Sequence, residues 1–367
     1  MRIAYVLTTL GMGGAERQVV ALAERMAARG HAVSLLVLRP RQPEEWPTTV
    51  DRVYLDMRKT PAGLLAGLLR GCSFLRTFQP ELIHSHVYPA NMAARVLRLC
   101  HSAPVISTVH NIYEGSWPRM LAYGLTDPLS CWTTAVSKAA ADRYVHLKAV
   151  PVRKCSVLTN GIDTAEFAPD SERRARMREA MGAGDEFVWL TAGRIVPAKD
   201  YPNLLHAFAR VREISPQARL WIAGEPAGPR SGAVRAMAAK LGIEASIRML
   251  GLRRDMPDLF DAVDGFVLAS AWEGMPLVVG EAMAMEKPVV ATDVGGVREL
   301  AGDCASIVPA CSSGALAEAM LELMGRTREV RGMMGQAARE RLVAHFSMDA
   351  KADEWEALYR RALAVNA

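Results

Sequence analysis

Aromatic residues are scarce in this chain of 367 residues: Trp, Tyr and Phe together make 6% of it, so Ala, Leu, Val and Met must fill the interior. No uninterrupted apolar stretch reaches the roughly 18 residues that a membrane-crossing helix needs, so none is expected. Met1-Arg2 leads straight into a strand-like run without a signal-peptide pattern. The six cysteines (Cys72, Cys100, Cys131, Cys155, Cys304, Cys311) contain no Cys-x-x-Cys pair and no Cys/His spacing of a metal site. Most sit in apolar runs, which predicts buried free thiols in a reducing compartment. No Asp-x-Asp-like cluster closes a strand to suggest a metal, and there is no low-complexity tract. A net charge of +5 is too mild for a dedicated nucleic-acid binder.

What is present is a long alternation of strand-like and helix-like runs. Half the residues are apolar, enough for two domains. Ile3–Leu7 reads as a buried parallel strand, a Gly-rich turn follows, and a helix runs to about Arg29 before the strand Ala32–Leu38. Strand, turn, helix, strand is a βαβ unit. Further strands are predicted at Arg52–Leu55, Leu82–Val87, Pro104–His110, Thr133–Ser137 and Ser156–Thr159. Helices are predicted at about 61–78, 89–100, 116–129 and 138–147. Asn160-Gly161-Ile162-Asp163 and Pro169-Asp170-Ser171 break the pattern, and the inter-domain linker is placed there. The alternation restarts with strands at Phe187–Gly193, Arg219–Ala223, Ile247–Leu250, Phe266–Ser270 and Val289–Thr292. Helices are predicted at Asn203–Glu213, Ser231–Leu241 and Met256–Val263. Residues 315–344 read as two helices. A last one, Met348–Leu363, carries Trp355, Leu358, Tyr359 and Leu363 at helical spacing and is expected to fold back on the first domain.

The fold class is therefore α/β, with two Rossmann-like doubly wound domains. The first is assigned to 1–165, completed by a helix at about 347–367, and the second to 166–346. Ligands of such sheets bind outside the carboxyl ends of the strands, and two facing sheets would share a central cleft.

Four stretches carry chemistry. In Ala271–Met285, Glu273 and Glu281 stand eight positions apart, the first in a loop after a strand and the second about one turn into a helix starting near Pro276 or Leu277. A proline fits a helix start, and the free N–H groups of that turn can hold an anion. Gly193–Asp200 places Arg194 and Lys199 on one loop, where a fork and a point charge can neutralise a diphosphate; the plainer reading is two surface cations. Gly11-Met12-Gly13-Gly14-Ala15-Glu16 joins a strand to a helix and lets a phosphate approach, or is only a tight turn. Glu16 occupies the third Gly position of a dinucleotide fingerprint, while Arg39 at the end of the next strand keeps an NADP enzyme open. His110 closes a strand and can meet a sugar hydroxyl or a developing positive charge. His84 and His86 precede it as candidates for an acceptor pocket, against the plainer reading of structural histidines.

Charge is unevenly spread. Up to residue 165 there are 19 Lys+Arg against 11 Asp+Glu, and from 166 onward 25 against 28. A basic front half suits phosphates or an anionic membrane surface. The segment Arg58–Arg76 has basic ends and a Leu/Phe face, which fits such a surface or packing on its own sheet.

Taken together, Gly13-Gly14-Ala15-Glu16, Asn160-Gly161-Ile162-Asp163, Gly193-Arg194 with Lys199, and Glu273-x7-Glu281 resemble the retaining glycosyltransferases of family 4, which have the GT-B architecture. The resemblance spans nearly the whole chain. It implies a nucleotide-sugar donor held mostly by the second domain, an acceptor held mostly by the first, and no metal requirement. Carried over, Arg194 and Lys199 would bind the donor diphosphate, Glu273 the transferred sugar and Glu281 the ribose. Gly13 and Gly14 would admit the donor phosphates, and His110 would touch the sugar. Backbone groups at Gly251, Leu252 and Arg253 would meet the base, with Gly274, Met275, Pro276, Leu277 and Val278 completing the site. Asn160 joins His84 and His86 as an acceptor candidate. The expectation is a metal-independent hexosyltransferase acting on a UDP-sugar and a glycan acceptor, lipid-linked, in surface polysaccharide or glycoconjugate synthesis. It would be cytoplasmic, peripheral at the inner face of the cell membrane, with no nucleic-acid partner. A nucleotide-sugar epimerase of the same architecture, an NADP-dependent oxidoreductase and a non-catalytic relative stand as alternatives.

Overall fold

The computed structural model describes residues 1–224 and 229–366. Met1–Gly161 with Met348–Ala367 form one compact unit, and Ile162–Ser347 form the other.

The first unit runs β1 (Arg2–Leu7), α1 (Gly14–Ala28), β2 (Ala32–Val37), β3 (Asp51–Tyr54), α2 (Pro61–Phe78), β4 (Leu82–His86), α3 (Tyr88–Leu97), β5 (Val105–Val109), α4 (Trp117–Thr126), β6 (Trp132–Ala135), α5 (Lys138–His146) and β7 (Cys155–Val157). Its seven strands lie parallel in the order β3-β2-β1-β4-β5-β6-β7, with Ile3 beside Val33 on one side and Leu82 on the other. A parallel sheet is covered on both faces, and β1, β4 and β5 are buried almost throughout, β1 with apolar residues and β4 and β5 with polar ones among them. Ile3, Tyr5, Leu7, Leu35 and Ile106 pack on one face beneath α1. Ala4, Val6, Leu36, Ile83 and Val105 pack on the other beneath α2 and α3. That second layer continues through α4 and α5, whose Met120, Tyr123, Ala140 and Tyr144 join Val109 and Ala135.

The second unit runs α6 (Ser171–Ala180), β8 (Val188–Ala192), α7 (Tyr201–Ile214), β9 (Arg219–Ala223), α8 (Pro229–Lys240), β10 (Ile247–Gly251), α9 (Met256–Ala262), β11 (Gly265–Leu268), α10 (Leu277–Ala284), β12 (Val289–Thr292), α11 (Val297–Ala301), β13 (Ser306–Val308), α12 (Ser313–Gly325) and α13 (Arg328–Phe346). The strand order is β10-β9-β8-β11-β12-β13, again parallel. The last helix, α14 (Met348–Asn366), returns to the first unit, where Trp355, Leu358, Tyr359 and Ala362 complete the core under α1.

Three elements, α6, α11 and β13, depart from the expectations. The supposed linker at Pro169–Ser171 leads into α6: Asp170 caps its first turn by accepting from the N–H groups of Glu172 and Arg173. Arg173, Arg174 and Arg178 then anchor it to Asp261 and Asp264, so ion pairs rather than an apolar stripe hold it. The three-residue β13 and the five-residue α11 lack a pattern long enough to register. Helix α10 begins at Leu277, one of the two starts expected, with Pro276 as the cap before it, extended at φ −76° and ψ 107°.

The cysteine expectation is corrected. Cys72 on α2 and Cys100 just beyond α3 are joined by a disulfide, with Cα atoms 5.7 Å apart, because these two helices pack side by side. The other four thiols are free but none is fully buried: Cys131, Cys155 and Cys304 are part-covered, and Cys311 is exposed. Burial still pushes the Cys131 and Cys155 thiols up to about 11.

Candidate functional site

In each doubly wound sheet the chain leaves a central strand in two directions, and the loops after the two strands flanking that reversal lie side by side. In the second unit these strands are β8 and β11. Gly193–Asp200 follows the first and Ala269–Pro276 the second. The N–H of Ala271 donates to the carbonyl of Ala198 at 2.8 Å, joining the two loops.

On this frame Lys199 Nζ donates to Glu273 Oε1 at 2.6 Å, and Ser270 Oγ donates to the same oxygen at 2.7 Å. Both partners of the ion pair are largely but not wholly covered, so a ligand can reach them. The supports lie behind. Tyr201 OH donates to the Gly193 carbonyl at 2.9 Å, and Thr292 Oγ1 to the Ser270 carbonyl at 2.7 Å. Gly295, at φ +53°, lies so close that a Cβ there would stand 2.3 Å from the Glu273 carbonyl oxygen, and Gly296 N–H donates to the Gly274 carbonyl at 2.7 Å. Ser270, Tyr201, Thr292 and Gly295 were not among the candidate site residues, and Ser270 and Thr292 entered only as the ends of predicted strands. Their only sequence signal was a place at or just beyond the end of a strand or short helix.

Arg194 lies exposed on the same loop, and among the described residues no acid is paired with its guanidinium. Gly274, Met275 and Pro276 form the buried end of the second loop, and Leu277 and Val278 open α10, which has no side-chain cap. Glu281 is buried on α10. Gly251 ends β10 with its carbonyl accepting from Gly224 N–H at 2.8 Å. Leu252 follows, and Arg253 is committed to Asp255 through two hydrogen bonds.

The first unit has its own strand-end cluster. Gly13 precedes α1 as an uncapped N-terminus, and its carbonyl accepts from Trp46 Nε1 at 3.2 Å. The Glu16 carboxylate, held by Thr9 Oγ1 at 2.9 Å, folds back so that a Cβ on Gly13 would lie 2.2 Å from it. A side chain at Gly13 would have to displace that carboxylate. Gly14 is exposed as the first helical residue. His110 sits just past β5, with Nε2 2.9 Å from His86 Nδ1. Glu114 is buried, accepting from His110 N–H at 3.1 Å and from Tyr123 OH at 3.0 Å. Burial pushes the Glu114 carboxyl up. It pushes His110 down to about 4, so that ring is neutral at pH 7.

His84 does not line a pocket. It is wholly buried, with Nδ1 2.7 Å from Tyr359 OH and Nε2 2.7 Å from Thr108 Oγ1. The alternation of β4 turned it onto the face that α14 covers. His86, on the same face, is buried too and pairs with His110. Asn160 is buried as well. Among the described residues no group of three or more His, Cys, Asp or Glu is arranged to hold a metal, and no helix is long and apolar enough to cross a membrane.

Comparison with known proteins adds the family. Residues 12–166 match Glycosyltransferase Family 4, and residues 186–326 match Glycosyl transferases group 1. The D-inositol 3-phosphate glycosyltransferase of Saccharomonospora viridis is 30% identical across 97% of this chain and 91% of its own. The alpha-D-kanosaminyltransferase of Streptomyces kanamyceticus is 26% identical across 93% and 98%. Among solved structures, Anabaena Alr3699/HepE in complex with UDP and glucose superposes with a TM-score of 0.86 at 20% identity, covering 98% of this chain and 99% of that one. Sucrose-phosphate synthase from Thermosynechococcus elongatus superposes at 0.87 and 20% identity over the full length of both. With two parallel-sheet Rossmann-like units and relatives of this kind, the chain belongs to glycosyltransferase family 4 and has the GT-B fold.

Proposed function

We propose that this glycosyltransferase is a metal-independent, retaining hexosyltransferase. It moves a hexose or N-acetylhexosamine from a UDP-sugar to a lipid-linked glycan acceptor in surface polysaccharide or glycoconjugate synthesis. The observation that carries the donor site is the Lys199–Glu273–Ser270 cluster at the β8/β11 reversal, with exposed Arg194 beside it. In this reading the donor separates the ion pair. Lys199 and Arg194 turn to the diphosphate, while Glu273 takes hydroxyls of the sugar. Glu281 holds the ribose, Gly251–Arg253 backbone groups meet the base, and amides at Met275–Val278 complete the cradle.

As the bond from the anomeric carbon to the β-phosphate oxygen breaks, negative charge grows on UDP, and two fixed cations stabilise it. The acceptor oxygen attacks the same face of the sugar, and its proton passes to the leaving phosphate oxygen. Neutral His110 touches the sugar as a hydrogen-bond partner, and Gly13 and Gly14 admit the donor phosphates. A UDP complex of a structural neighbour and glycosyl-transferring relatives support the choice of donor.

The lipid-linked acceptor and a peripheral place on the inner face of an anionic membrane are read from α2. One side of it is buried through Gly67, Gly71, Cys72 and Leu75, while Leu64, Leu65 and Leu69 stand exposed between Arg58-Lys59 and Arg76.

A thermal-shift series with UDP-, GDP- and ADP-sugars tests the donor, because a ligand that binds only the folded state raises its melting temperature. A shift with UDP-sugars alone is expected, and none with any of the three refutes the reading. An epimerase would turn over its donor without an acceptor, and an oxidoreductase would change NADPH absorbance.

A further inference from the structure

The helical layer α2–α5 leaves large apolar side chains uncovered well beyond α2. On α4, Met120 and Tyr123 face the sheet, while Trp117, Leu121 and Leu125 are 71%, 44% and 72% exposed. Their i, i+4, i+8 spacing makes one stripe along the helix. A Cβ on Gly124 would lie 3.0 Å from the Lys148 carbonyl, so the turn after α5 packs against α4, and Leu147 in that turn is exposed as well. Single exposed apolar residues need no explanation, but a contiguous set does.

The exposed charges of residues 111–154 that lack an opposite partner have one sign. Of the three acids between 111 and 154, Glu114 is buried, Asp127 is held by Lys154 and Asp142 by Lys138. Lys148 and Arg153 are exposed, with no acid paired to them among the described residues. An apolar stripe ending in an indole and edged by unpaired cations complements a surface of acyl chains beneath anionic headgroups.

We infer that the α4 stripe, Trp117, Leu121 and Leu125 with Lys148 and Arg153, seats the first unit on an anionic membrane surface. This deepens the reading proposed for α2, on which it rests, by adding a second foot on the same helical layer. The apolar side chains enter the headgroup boundary and the two cations meet lipid phosphates. An acceptor with a lipid tail then comes to the unit by diffusion along the surface rather than from bulk water.

The test is co-sedimentation of the full chain with vesicles of phosphatidylglycerol and phosphatidylcholine, and of phosphatidylcholine alone. Trp117→Ser/Leu125→Gln should lower partitioning about tenfold or more on the anionic vesicles. Lys148→Gln/Arg153→Gln should lower it by about tenfold on those vesicles only. Met333→Gln, an exposed apolar site in the second unit, should leave it unchanged. All these residues are exposed, so melting temperature and UDP-induced shift should match wild type and exclude misfolding. If Leu65→Gln/Leu69→Gln on α2 releases the protein but the α4 variant partitions like wild type, the α4 inference fails and the α2 reading stands. If wild type binds neither vesicle, both fail. If the α4 variant changes self-association in solution without changing vesicle binding, the stripe is an interface between copies and the inference is overturned.

Discussion

Glu273 shares one carboxylate oxygen between an ammonium at 2.6 Å and a hydroxyl at 2.7 Å, so its orientation is set from two sides before any ligand arrives. When the donor draws Lys199 away, the Ser270 hydroxyl still orients the carboxylate toward the sugar. Glu273→Gln keeps the shape but removes the charge, and a fall of about a hundredfold in turnover is expected, with donor affinity less affected. Product-release kinetics at saturating donor check it, and unchanged turnover would remove Glu273 from its assigned role. Gly295 matters for a different reason. Alanine there meets a carbonyl at 2.3 Å and a backbone at φ +53°, so Gly295→Ala should displace the Glu273 loop and raise KM for donor several-fold. A KM equal to wild type would show that the loop does not need this support. Lys199 and Glu273 were singled out because each follows a strand of the second unit; that the two pair shows only once β8 and β11 lie side by side. Ser270, Tyr201, Thr292 and Gly295 were not, because their partners become neighbours only once β8, β11 and β12 pair. For His84 the sequence left two readings open: period-two alternation told that it shares a face with His86, but not that α14 would cover that face and make the ring structural.

Most helices and strands were legible where a periodic run met a clear breaker. Pro61–Phe78 has Thr60 accepting from Gly63 N–H before it and Gln79 in a left-handed turn after it, and both ends were placed correctly. Helix α6 was missed because its sequence, Ser-Glu-Arg-Arg-Ala-Arg-Met-Arg-Glu-Ala, shows no apolar stripe; pairs with Asp261 and Asp264 about ninety residues away hold it. The same distance problem hid the Cys72–Cys100 bond, since 28 residues separate the partners. A thiol titration of the unfolded, unreduced chain should find four reactive thiols, and six would contradict the bond. Reduction should cost roughly 3–4 kcal/mol if loop-closure entropy dominates. Helix α14 is tied into the first unit by Tyr359, whose hydroxyl sits 2.7 Å from His84 Nδ1 and 3.0 Å from Tyr5 OH. Tyr359→Phe leaves those groups buried without that partner and should lower stability by about 1–3 kcal/mol. A melt indistinguishable from wild type would show that the network does not hold the helix.

For the molecule as a whole, burial depresses three neighbouring histidines of the first unit together, His84 and His86 strongly and His110 to about 4, and lowers His101 as well. An unfolded chain protonates its histidines near 6.5, while the folded protein resists until far lower. Between those limits the unfolded state binds more protons, so stability is full above about pH 6.5 and falls as pH drops toward 4. Each histidine contributes a slope of up to about 1.4 kcal/mol per pH unit. The raised Glu114 carboxyl works in the opposite direction, but it is one group against three. Melting temperature should therefore fall steadily from pH 7 to pH 5, and less steeply in His110→Asn; a flat profile would mean these rings are solvated.

The central claim, that the cluster at the β8/β11 reversal is where the nucleotide-sugar binds, is tested most directly by calorimetric titration of UDP and of a UDP-sugar. Wild type is compared with Arg194→Met, Lys199→Met and Glu273→Gln. Each cation variant should weaken UDP binding about tenfold or more, while Glu273→Gln should bind UDP like wild type and lose only the added affinity for the sugar. Wild-type affinity for UDP in both cation variants would contradict the account.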